Sequence, residues 1–71
     1  MKMTPVESSH IKSIGYDADT KVMRVEYTQA TYEYRDVQKE VYEQIMSADS
    51  KGRALKEAVS INGFAYKRVE G

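Results

Sequence analysis

From Lys21 to Thr28 the chain reads KVMRVEYT, with Met23, Val25 and Tyr27 alternating with Arg24 and Glu26. A period of two puts the apolar side chains on one face of a strand and the charges on the other. Upstream, SHIKSIGYD (9–17) is rich in β-branched and aromatic residues and predicts another strand. Ile14 and Tyr16 share a face there, whereas Ile11 falls on the other, which predicts a bulge or a change of partner. Asp17-Ala18-Asp19-Thr20 reads as the connecting turn, since Asp side chains accept hydrogen bonds from nearby backbone. Gln29-Ala30-Thr31 predicts the next turn, after which Tyr32 and Tyr34 alternate with Glu33 and Arg35. Pairing Tyr27 with Tyr32 or with Tyr34 keeps the aromatics on one face. The Tyr34 register sets Glu26 opposite Arg35, a pair contributing about 0.2–1 kcal/mol relative to Ala–Ala.

The period changes at Asp36. Val37, Val41, Ile45 and Ala48 recur at helical spacing, with Tyr42 beside them, and Asp36 suits the N-cap. Asp49-Ser50-Lys51-Gly52 interrupts this helix, with Gly52 a candidate C-cap for it. A second helix is predicted near Arg53 to Ile61, burying Leu55, Ala58 and Val59 and ending at Asn62-Gly63 in a left-handed C-cap. Phe64 to Val69 closes the chain as a short strand or extended segment, and residues 1–7, with the only proline, are expected to be loosely ordered. The predicted fold class is α+β: a three-stranded antiparallel meander packed under one or two helices. Arg24, Glu26, Glu33 and Arg35 cannot form its buried face, so the tyrosine face should take the helices. Tyr27, Tyr32 and Tyr34 then serve as the floor of the core beneath Val37, Val41, Tyr42 and Ile45. The opposing possibility is an exposed base-stacking platform of the kind used by single-strand RNA readers.

At 71 residues the chain is a single domain, 1–71, whose stability should be a few kcal/mol. It has no cysteine and one histidine, which argues against disulfides and structural zinc. The start, MKMTPVESS, lacks the apolar stretch of a signal peptide, and no run approaches a membrane span, so a soluble, cytoplasmic protein is expected. Eleven basic and eleven acidic residues give zero net charge, which argues against a general nucleic-acid binder. The charge is unevenly distributed, however. Residues 50–71 hold Lys51, Arg53, Lys56, Lys67 and Arg68 against two acids, a basic patch that could face a partner.

Several ordered pieces resemble the KTSC domain family. They are Val6-Glu7-Ser8-Ser9, Ile11, Ile14-Gly15-Tyr16-Asp17, the central Tyr32-Glu33-Tyr34, Val37, Val41-Tyr42, Ala48-Asp49-Ser50-Lys51-Gly52 and Tyr66-Lys67-Arg68-Val69. The resemblance covers nearly the whole chain. Gln38 stands where the family often has proline, and Ala54-Leu55-Lys56 where it tends to an aromatic pair and Asn. This is a short bacterial module, also found at the C-terminus of some lysyl-tRNA synthetases. Those fusions imply RNA as a partner, by association only.

Among local chemistries, Ser50 to Arg53 could open the second helix and present its first N–H groups to an anion such as an RNA phosphate, with Lys51, Arg53, Lys56, Lys67 and Arg68 adding charge. Ser8-Ser9-His10 does not make a nucleophilic site, because neighbours on a strand point to opposite faces; Ser8 or Ser9 should bond local backbone. Asp17 and Asp19 read as turn residues, not metal ligands, and no cofactor motif is present. The sequence therefore points to a non-catalytic accessory module binding RNA weakly. The competing expectation is a protein-interaction module that uses Arg24, Glu26, Glu33 and Arg35, or an edge strand, to hold another protein or a second copy.

Overall fold

A computed structural model describes residues 2–69. In chain order the elements are β1 (Met3–Pro5), β2 (Ile11–Asp17), β3 (Val22–Tyr27), β4 (Thr31–Tyr34), α1 (Lys39–Ser47), α2 (Lys51–Asn62) and β5 (Tyr66–Val69). The strands form one antiparallel sheet in the order β1-β2-β3-β4-β5. Both helices fall between β4 and β5, so the chain crosses one sheet face before β5 returns to pair with β4.

The α+β class and the central β2-β3-β4 meander match the sequence pattern, and the sheet is larger than three strands. Residues 3–5 are not loose. Thr4 pairs with Ile14 and Pro5 with Ser13, and Val6 N–H reaches Lys12 C=O at 3.0 Å. Pro5 is tolerated because β1 is an edge strand. At the other edge Tyr66–Val69 is a true strand. The irregularity foreseen at Ile11 is present: the β2–β3 register shifts between Ile11 and Ser13, which brings Ile11 round to the core.

The β3–β4 register differs from the two expected. Tyr27 N–H bonds to Ala30 C=O at 2.8 Å, closing a tight turn at Thr28 and Gln29. That turn sets Arg24 opposite Glu33 and Val25 opposite Tyr32; Arg35 lies past the end of β4 and does not face Glu26. The displacement is an even number of residues, so every side chain stays on its predicted face.

Asp36 is not the N-cap of α1. It adopts φ 56°, a left-handed conformation Asp tolerates better than most residues, and Gln38 takes the cap position. The turn buries Val37 completely, and Val37 N–H reaches Lys21 C=O at 2.9 Å. Helix α2 starts at Lys51, so Gly52 lies in its first turn instead of capping α1. A Cβ at Gly52 would sit 3.0 Å from Ser8 Oγ, so the glycine lets the 6–10 segment press against the helix. Gly63 is the left-handed C-cap of α2, its N–H bonding to Val59 C=O at 2.9 Å. Gly63→Ala should lower stability by about 1 kcal/mol, read as a fall in urea midpoint at unchanged m-value.

The core comprises Ile11, Ile14, Met23, Val25, Tyr34, Val37, Ile45 and Leu55. Burial of each aliphatic side chain contributes about 1.5–3 kcal/mol. The helices divide the sheet face between them. Tyr42 of α1 stacks on Tyr16 with ring centroids 4.9 Å apart, and Tyr16 donates to Val37 C=O at 2.5 Å. Tyr27 and Tyr34 lie beside α2, facing Leu55 and Val59. Tyr34 also belongs to the buried cluster that holds Val37 and Ile45, so α2 joins the cover that the pattern assigned to α1.

Candidate nucleic-acid interface

On the sheet face away from the helices, charges neutralise one another. Arg24 donates through Nε to Glu33 Oε2 at 2.8 Å, with a second contact from its terminal nitrogen. Lys67 Nζ stands 3.9 Å from Glu33 Oε1. Ser13 Oγ donates to Glu26 Oε1 at 2.9 Å. The structure thus gathers Arg24, Glu26 and Glu33 on one face, adds Lys67, and leaves the exposed Arg35 outside the group.

The five basic candidates do not form one patch. Lys51 turns back toward the end of α1, its Nζ 3.4 Å from Ala48 C=O. Arg53 pairs with Glu57 at 3.2 Å in an exposed i,i+4 contact. Lys67 and Arg68 are neighbours on β5 and point to opposite faces: Lys67 pairs with Glu33 on the outer side, Arg68 with Tyr32 on the helix side. Among the described residues neither Lys56 nor Arg68 has an acidic partner within ion-pair distance.

The helix side of the sheet holds a cleft that draws on the opposing reading of Tyr27, Tyr32 and Tyr34 as a platform. Tyr27, Tyr32, Tyr34 and Tyr66 meet around an open cleft of about 540 Å³, completed by His10, the Thr28–Ala30 turn and Val59 of α2. A second cavity of about 420 Å³ shares His10, Tyr27, Tyr34 and Val59 and runs under α2 to Gly52, Leu55 and Lys56. Tyr34 is buried, Tyr27 and Tyr32 are half-buried, and Tyr66 is 64% exposed. The tyrosines are thus both floor and wall. Tyr27 and Tyr34 share a 2.8 Å hydrogen bond between their hydroxyls. Burial, reinforced by that bond, holds the Tyr27 phenol far above its ordinary range, so it keeps its proton.

Tyr66 is not among the residues the sequence pattern assigns to a site, because it joins Tyr32 and Tyr34 only when β5 closes on β4. The signal for it was the alternation of Tyr66 and Arg68 against Lys67 and Val69. Chemically, the cleft offers ring faces, one phenol pair and flanking cations. It can stack, hydrogen-bond and attract negative charge.

A single antiparallel sheet roofed on one face by two helices, with an aromatic cleft between sheet and α2, defines a small α+β module. The KTSC domain model matches residues 7–64, and the chain belongs to that family. A protein of Stutzerimonas stutzeri is 32% identical over 71 residues, covering 99% of this chain and 100% of that one. A protein of Tsukamurella paurometabola is 42% identical over 52 residues, 72% of this chain and 78% of its own. Among solved structures, the crystal structure of a KTSC domain protein from Yersinia pestis superposes with a TM-score of 0.90 at 34% identity, covering 97% of each chain.

Proposed function

We propose that the chain is a non-catalytic accessory module that binds RNA weakly, with Lys56 and Arg68 meeting the phosphate backbone beside the tyrosine cleft. The observation that supports this is the placement of these two cations. Lys56 borders the inner cavity, and Arg68 follows Tyr66 along β5 on the cleft side, opposite Tyr32. Lys51, Arg53 and Lys67 contribute less, because each already has a partner in the fold. The outer sheet face is a poorer docking surface, since Arg24 pairs with Glu33 and Glu26 accepts from Ser13 there.

Two phosphate contacts predict a salt slope of roughly −1.4 for a single strand, hence about a sevenfold affinity loss between 50 and 200 mM salt. An amide NMR titration with a short single-stranded RNA should show this loss, with shifts at Lys56 and Arg68. Replacing both by Gln should abolish the salt dependence. If the pair Lys51→Gln and Arg53→Gln has the larger effect instead, the phosphate site lies at the start of α2. A silent titration would overturn the RNA reading.

A further inference from the structure

Resting on that reading, we infer that the cleft seats one unpaired nucleobase of the RNA strand in a box formed by Tyr27, Tyr32 and Tyr66. Tyr32, on β4, is flanked by Tyr27 from β3 and Tyr66 from β5. Their rings meet the Tyr32 ring at 73° and 74°, with both centroid separations 5.8 Å. Walls standing nearly at right angles let a flat occupant lie against one ring while its edge meets another. The cleft volume of about 540 Å³ falls within the roughly 300–1,000 Å³ of small-ligand sites. At its base the Tyr27–Tyr34 pair uses one phenolic proton internally and keeps the other for an acceptor on the occupant.

A ring box of this kind also suits a quaternary ammonium. The surrounding charge decides between the two occupants. Lys56 and Arg68 stand near the cleft, and among the described residues no carboxylate lines either cavity. A cation would meet the like charge of Lys56 and Arg68, whereas a base tethered to phosphates meets opposite charge. Bases within a duplex have their faces stacked and their edges paired, so only a single strand can fill the box.

The test titrates the full chain with pentauridylate, with an abasic oligonucleotide of equal phosphate count, and with a short RNA duplex. Pentauridylate should bind at least tenfold more tightly than the other two. Tyr66→Ala, at an exposed position, should weaken pentauridylate about tenfold, the range of one base–aromatic stack. It should leave the abasic strand unaffected, and Tyr66→Phe should restore binding. Equal binding of pentauridylate and the abasic strand, unchanged by Tyr66→Ala, would overturn the base site while the phosphate reading stands. If no oligonucleotide binds, both fall; Tyr32 and Tyr66 shifts on adding tetramethylammonium would then assign the box to a cation.

Discussion

Leu55→Ala is expected to leave most of the chain unfolded at room temperature. Leu55 is 1% exposed and is the one fully buried side chain of α2, with Ala54, Ala58 and Val59 only partly buried against the core around it. Such truncations cost about 2–5 kcal/mol, the upper values where the surroundings cannot collapse into the gap. Collapse is hindered here because Leu55 already borders the cavity under α2. A domain of this size has only about 3–5 kcal/mol in total, so the loss is of the same order as the reserve. Far-UV circular dichroism should show reduced helix and strand signal, with residual structure melting without a clear midpoint. Ile61→Ala is the control: Ile61 lies on the same helix and is 82% exposed, so its removal should change stability by no more than about 0.5 kcal/mol. Near-native urea midpoints for both variants would mean that α2 is held by other contacts.

What was legible in the sequence followed from period and parity. Alternation in 21–28 and 31–34 placed Met23, Val25 and Tyr34 inward, and the tight turn that altered the register could not disturb that assignment. Asn62-Gly63 marked the end of α2 because few other residues tolerate a left-handed cap. The N-terminal edge strand was not legible: three residues containing a proline carry no period, and β1 exists only because β2 offers a free edge. Asp36 misled because the side chain that favours an N-cap also favours a left-handed turn. The basic patch failed for a reason present in the sequence, since two adjacent residues on a strand, Lys67 and Arg68, cannot share a face. The cleft depended on closure between β4 and β5, across both helices, and no local pattern encodes it.

Tyr27 of the cleft and Tyr16 should together set the alkaline limit of the fold. Burial first, and then the Tyr34 hydrogen bond, raise the Tyr27 phenol well above its ordinary value of 10.0. Tyr16 is raised as well, by burial first and then by the charges of Glu40 and Asp17. In the unfolded chain both phenols ionise near pH 10, whereas the folded chain retains their protons. Above that pH the unfolded state binds fewer protons than the native state, so stability falls as pH rises. The contribution is complete below pH 10 and is lost progressively toward the folded values. Each tyrosine sets a ceiling of about 1.4 kcal/mol per pH unit, reduced for these half-buried rings by solvent screening. With a small reserve, the chain should unfold cooperatively between about pH 10 and 12, with phenolate absorbance and loss of circular dichroism rising together. Tyr27→Phe separates the causes. It deprives Tyr34 of its partner and should cost about 1 kcal/mol at neutral pH, yet its stability should decline less steeply above pH 10, so the two curves converge. An unchanged slope in Tyr27→Phe would remove Tyr27 from the alkaline transition and leave Tyr16, stacked under Tyr42, to account for it.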